Sequence, residues 1–150
     1  MALKLSDIYL RAGNVLSEAS EPDFTSAVAI VRHNDRWLLG LARNSGDRNG
    51  KWCHPGGGMK SGEKPEKAAE RECYEEMGIR CKADGKPFRM KDHKTVAFVP
   101  CKLSNTNYKI DINNEKEFSG AGFFTMAEIR SLKPLYKNVI DLIDKAKRAK

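Results

Sequence analysis

At 150 residues the chain fits one compact domain with enough interior for a hydrophobic core, and its composition, 40% hydrophobic and 31% charged, shows no sign of a collagenous, low-complexity or disordered class. No apolar run approaches the roughly 18–20 residues that span a bilayer, and the N-terminus, MALKLSDIYLRAGNV, breaks its hydrophobic residues with charges before a signal-peptide core can form, so a cytoplasmic protein without membrane contact is expected. The formal net charge is +7, yet Gly56–Ile79 holds six glutamates against four basic residues, an acidic island of −2 that leaves +9 elsewhere.

In chain order, residues 1–24 mix helical and loop signals, with Leu5, Ile8 and Leu10 as packing candidates and SEASEPD as a connector. TSAVAIVR (Thr25–Arg32) and RWLLGLAR (Arg36–Arg43), separated by HND, predict two strands joined by a tight turn. NSGDRNGKW is a polar loop leading through Trp52 and Pro55 into the glycines Gly56, Gly57 and Gly58. Pro65 suits the first turn of a helix and Gly78 the left-handed position after its end, which predicts a helix over 65–77. KTVAFVPCKL (Lys94–Leu103) predicts a strand, YKIDIN a weaker one and GAGFF a short one, followed by helical stretches near TMAEIRSL and YKNVIDLIDKAKRAK. With no internal repeat or linker, the chain is expected to form a single α/β domain, 1–150, with a mixed sheet sandwiched by helices. The cysteines Cys53, Cys73, Cys81 and Cys101 lack zinc-site spacing and are expected to be buried thiols.

At about 100° per residue, Glu72, Glu75 and Glu76 share one face of the predicted helix, beside an apolar stripe of Ala69, Cys73 and Met77 that would seat it on the sheet. Two carboxylates about 6 Å apart repel by roughly 3 kcal/mol at an effective dielectric of 20. A sheltered trio therefore calls for a cation, and oxygen-only ligands favour Mg²⁺ or Mn²⁺. The three glycines let backbone groups approach a ligand or metal without an intervening Cβ. The competing reading is a solvated helix face laced by pairs such as Lys67 with Arg71 and Glu75.

The full spacing decides between them. Gly57, five residues, Glu63, seven residues, then RECYEEMGI resembles the Nudix box, matching its polar and glycine positions, and KWCHPGG resembles the lead-in to that box. Cys73 departs from the pattern at an aliphatic position, where a buried thiol serves as a small hydrophobe. Resemblance to Nudix hydrolases of the MutT-like kind implies an α/β/α sandwich and divalent-metal-dependent hydrolysis of a nucleoside diphosphate linked to another moiety. It also implies that Glu72, Glu75 and Glu76, with the Gly56 carbonyl, hold the metal, and that Arg71 pairs with Glu63 to fix the loop and orient Glu72. In the family a further base comes from the box or from a later loop, for which Glu115 and Glu117 are the candidates here, with Glu72 as the alternative.

For the substrate, Gly57 and Gly58 offer backbone contacts, Arg43, Arg48 and Lys51 are the nearest basic groups, and Tyr108 and Phe118 are the aromatic candidates for stacking. Trp37, Phe98 and Phe123 fall in strand-like runs and are expected in the core. ADP-ribose, dinucleoside polyphosphates, flavin or nicotinamide dinucleotides and nucleoside triphosphates all stay open as substrates. Removal of pyrophosphate from an RNA 5′ end, using the basic surplus, and a catalytically silent nucleotide-binding module are the alternatives. Nucleic acid is the less favoured partner, and both monomer and homodimer are compatible with the chain.

Overall fold

The computed structural model describes residues 23–112 and 117–149. Most of the N-terminal segment, and Glu115, lie outside them. Strands β1 (Ser26–His33) and β2 (Arg36–Ala42) form the expected antiparallel hairpin, with Arg32 opposite Trp37 and His33 opposite Arg36. Its turn places Asn34 at φ 56°, a left-handed conformation that asparagine tolerates well. A 3-10 turn at Gly46–Arg48 leads to β3 (Trp52–Cys53), which pairs with β2.

The triple glycine is itself a strand. β4 (Gly56–Gly58) pairs antiparallel with the start of β1, placing Val28 opposite Gly56 and Ser26 opposite Gly58. The expected loop became a ladder because a side chain at Gly56 would stand 2.5 Å from the Ala27 carbonyl oxygen, so only glycine lets the two backbones close.

Helix α1 (Pro65–Met77) has the predicted bounds, with Pro65 in its first turn and Gly78 at φ 68° donating its N–H to the Tyr74 carbonyl. Short strands β5 (Cys81–Ala83) and β6 (Phe88–Met90) then pair with the long β7 (His93–Leu103), and β7 runs parallel to β1. GAGFF belongs to a longer strand, β8 (Phe118–Thr125), on the other side of β2. Helix α2 (Met126–Ser131) opens with a reciprocal capping box between Thr125 and Glu128. Helix α3 (Val139–Arg148) starts later than YKNVID implies, because Tyr136 donates its backbone N–H to Trp52 and so belongs to the approach.

YKIDIN forms no strand in its described part. Instead Asp111 donates its backbone N–H to the Met77 carbonyl at 2.8 Å, closing the C-terminal end of α1 in place of a ladder.

Strand alternation divides the interior in two. Ala27, Ala29, Val31, Leu38, Ala97 and Val99 pack against Ala68, Ala69, Cys73 and Met77 of α1. Ile30, Trp37, Leu39 and Phe98 face the other way, onto Val139, Leu142, Ile143 and Ala146 of α3. The result is the expected α/β/α sandwich with a mixed sheet. Trp37 and Phe98 are core as anticipated, and all four cysteines are buried free thiols.

Candidate active site

The site forms where α1 crosses β4. Arg71 organises it: Nε and Nη2 bind the two Glu63 oxygens at 2.8 and 2.9 Å, Nη2 also reaches the Gly58 carbonyl at 2.9 Å, and Nη1 reaches Glu72 and Glu75 at 3.1 Å each. Glu63 additionally accepts the Lys60 backbone N–H at 2.9 Å. These hydrogen bonds, Arg71 first, hold the Glu63 carboxyl down at about 2. The expected Arg71–Glu63 brace between loop and helix is therefore present.

Glu72 and Glu76 lie deeper. Glu76 is 3% exposed and accepts the Gly56 backbone N–H at 3.1 Å. Burial, the nearby charges of Glu117 and Glu72, and a hydrogen bond with Glu117 push its carboxyl up to about 9. Glu72, raised chiefly by burial, accepts a hydrogen bond from Arg71 at 3.1 Å, and its charge helps to raise Glu76. Glu72, Glu76 and Glu117 thus form a string of carboxyls in which the outer two act on Glu76 through their charge. Gly57 has no side chain because Glu72 occupies that space: a Cβ there would lie 2.6 Å from the Glu72 carboxyl carbon.

The other predicted residues are distributed unevenly. Glu75 is exposed and turned to Arg71, while Gly58 is exposed with its carbonyl on Arg71. The Arg43 backbone N–H donates to the Glu117 carbonyl at 2.8 Å, so Arg43 stands beside the string with its side chain exposed. Lys51 lies over the Tyr136 ring, 6.0 Å from its centroid. Two aromatic expectations change. Phe118 is 2% exposed and packs under Gly40, inside the core, where no base can stack on it. Tyr108 packs edge-on against His33 and Phe123 at the far end of β1 and β8 from Gly58 and Glu117, so it is not brought to the site.

Sequence reasoning missed a cavity of about 250 Å³ on the α3 side of the sheet, opening beside Gly56 and Gly57. Val28, Phe98 and Leu142 line it with Arg48, His54 and Tyr136. The Arg48 guanidinium lies 4.0 Å from Cys53 Sγ, and Tyr136 donates its hydroxyl to Asp47 at 3.1 Å, tying the 3-10 turn to the cavity mouth. His54 is 3% exposed. Burial pushes its imidazole down to about 4, against the weaker pull of the Val139 and Leu38 carbonyls. The one available signal was a histidine set between Trp52 and Pro55, too little to separate a core residue from a cavity wall.

Among the described residues, no three His, Cys, Asp or Glu side chains converge as a ready-made metal-holding group. Arg71 draws Glu72 and Glu75 to itself, and Glu76 is turned to the Gly56 amide. The donors are nevertheless all oxygens, and a carboxyl pushed up by burial and by two acidic neighbours is the imbalance that a divalent cation relieves. The residues fit a Mg²⁺- or Mn²⁺-type ion.

The NUDIX domain family profile matches residues 23–145, and the chain belongs to that family. It is 37% identical over 70 residues to the nucleoside triphosphatase NudI of Enterobacter sp. (strain 638), an alignment covering 45% of this chain and 50% of that relative, so the chain matches about half the relative's length. Its fold is similar to a MutT protein from Methanosarcina mazei (TM-score 0.62, 20% identity, 86% of this chain and 96% of that one). It is also similar to an ADP-ribose pyrophosphatase from Streptococcus suis (TM-score 0.60, 23% identity, 83% and 92% covered). No helix among the described residues is long and apolar enough to cross a membrane.

Proposed function

We propose that the protein is a divalent-metal-dependent pyrophosphohydrolase that cleaves the diphosphate of a nucleotide-type substrate, a nucleoside diphosphate linked to a further group. The observation that carries this reading is the string Glu72–Glu76–Glu117, with Glu76 buried at its centre against the Gly56 amide. Glu72, Glu76 and the exposed Glu75, with the Gly56 carbonyl, would hold Mg²⁺ or Mn²⁺. When bound, the cation would offset the charge of the diphosphate and of these carboxylates.

The protein's own groups do the rest. Arg71 keeps Glu72 in place and locks the Glu63 loop to α1. Glu117, whose charge helps to raise Glu76, would take a proton from the attacking water, with Glu115 the other candidate. Gly57 and Gly58 leave backbone open to the phosphates, and Arg43 and Lys51 flank the approach. The neighbouring cavity, about 250 Å³, suits one nucleoside end and not both halves of a dinucleotide. The names of the relatives, a nucleoside triphosphatase and an ADP-ribose pyrophosphatase, support the same class.

The test is a panel of nucleoside triphosphates, ADP-ribose, dinucleoside polyphosphates, dinucleotides and 5′-triphosphate RNA with Mg²⁺, scored for phosphate released and nucleoside product. Glu76→Gln should retain the fold and lose at least about a hundredfold in kcat. Undiminished Mg²⁺-dependent turnover by that variant would refute the reading, and binding without turnover by the unaltered protein would reassign the chain as a nucleotide-binding module.

A further inference from the structure

Three basic side chains precede the glycines, Arg43, Arg48 and Lys51, and the fold uses them differently. Arg43 is exposed, and the Lys51 ammonium lies over the Tyr136 ring. Arg48 is half-buried and lines the cavity of about 250 Å³ beside Gly56 and Gly57. Its turn is braced: the Lys51 amide donates to the Arg48 carbonyl at 2.9 Å, and the Asn44 amide to the Asn49 side chain at 2.7 Å. The guanidinium itself is poorly matched. Nη1 donates to Cys53 Sγ at 4.0 Å, a long contact to a weak acceptor. Asp47, its neighbour in the chain, is turned to the Tyr136 hydroxyl, and among the described residues no carboxylate forms an ion pair with Arg48.

A guanidinium carries five N–H donors in a rigid fork, and one partly withdrawn from water is normally met by a pair of carboxylate or phosphate oxygens. The cavity's other walls indicate which. Cys53 feels two opposed charges, since Arg48 favours its thiolate and Glu76 disfavours it. One thiol is thus within range of both the guanidinium and the buried carboxyl of the string, which sets Arg48 at the acidic end of the cleft. Away from that end the walls turn to hydrocarbon, from Val28, Val96, Phe98 and Leu142. We propose that Arg48 binds the phosphate attached to the ribose, taking two of its oxygens where the cleft passes from the carboxyl string to the apolar chamber. This rests on the reading of that string as the site that cleaves the diphosphate. The covalent order of base, sugar and anhydride places the ribose-bound phosphate between the two regions. It also remains on the nucleotide product, so the contact is common to substrate and product.

The experiment measures what the phosphate adds to binding, without metal or turnover. AMP, CMP, GMP and UMP are titrated in EDTA by NMR chemical-shift mapping, each beside its unphosphorylated nucleoside. In the unaltered protein at least one nucleotide should bind about tenfold or more tighter than its nucleoside. Arg48→Gln should remove that gain and leave nucleoside affinity unchanged, which also shows that the variant is folded. Arg48→Lys keeps the charge without the fork and should retain only part of the gain. In turnover, Arg48→Gln should raise KM about tenfold with kcat little changed, because a contact shared by substrate and product is uniform binding.

A phosphate gain undiminished in Arg48→Gln would overturn the proposal, as would the lack of any gain in the unaltered protein. Equal losses for nucleotide and nucleoside would assign Arg48 to the base or to the cavity wall, and would overturn it too. Loss of the gain in a protein that hydrolyses no nucleotide would uphold the contact and remove the hydrolase reading. Mg²⁺-dependent hydrolysis with the gain intact in Arg48→Gln would do the reverse.

Discussion

Arg71 is the side chain on which most of the site's geometry converges, since one guanidinium joins Glu63, Glu72, Glu75 and the Gly58 carbonyl. A planar fork can serve several acceptors at fixed angles where an ammonium cannot, so Arg71→Lys should lose activity despite keeping its charge. Arg71→Ala should cost roughly 2–3 kcal/mol of stability, read from urea midpoints, because it leaves half-buried carboxylates without their donor. The two raised or lowered groups at the centre predict opposite pH responses. Glu76 titrates near 9 in the fold and near 4.5 unfolded, so without a divalent cation the fold binds a proton that the unfolded chain releases, and stability declines as pH rises from 4.5 toward 9. Glu76→Gln should therefore melt at least about 2–4 °C above the unaltered protein in EDTA at pH 8. His54 titrates near 4 in the fold and near 6.5 unfolded, so its contribution is complete above 6.5 and is lost as pH falls toward 4. Urea unfolding at stepped pH should show that slope, and His54→Asn should flatten it.

At the scale of elements, the three glycines of β4 separate fold from function. Gly56→Ala forces a Cβ to 2.5 Å from the Ala27 carbonyl and should unzip β4 from β1, with a loss of about 2 kcal/mol or more. Gly57→Ala meets the Glu72 carboxyl instead and should reduce kcat with a smaller change in stability. Gly58→Ala meets nothing within 4 Å and should leave stability nearly unchanged, which makes it the control for the melts. Circular dichroism melts and initial rates on the three variants check the series. Helix α1 is legible in the sequence because Pro65, Gly78 and the apolar spacing all act locally. β4 is not, since a run of glycines becomes a strand only when a neighbour's backbone closes on it. YKIDIN has strand-like alternation, yet Asp111 is used on the end of α1, a tertiary demand invisible in the local pattern. Tyr108 and Phe118 fail as stacking candidates for a related reason: composition names an aromatic but not the end of the sheet, or the side of it, on which it lies.

For the molecule as a whole, the carboxyl string sits on the α1 side of β4 and the His54 cavity on the α3 side, so the sandwich brings two chemically unlike surfaces to one edge. Most of the acidic half can be read from spacing, because Glu63, Arg71, Glu72 and Glu76 lie within one stretch of chain, whereas Glu117 joins them from the approach to β8. The cavity draws on β1, β3, β7 and α3, which meet only after folding. If the carboxyl string takes a cation in the folded state only, Mg²⁺ at a hundred times its Kd should stabilise the protein by about 2.7 kcal/mol, and Glu76→Gln should abolish most of that gain in melting temperature. The α3 layer should matter as much as the α1 layer: Ile143→Ala, at a fully buried position, should cost about 2–5 kcal/mol by denaturant titration.

The bond from the Asp111 amide to the Met77 carbonyl leaves a clear signature. Asp111 belongs to neither helix nor strand, yet its amide proton should exchange with deuterium on the same timescale as the last turn of α1. Whatever frays that turn will release the peptide around Asp111 with it, so a protease nick near Ile110 would report on the integrity of the helix that carries Glu72 and Glu76.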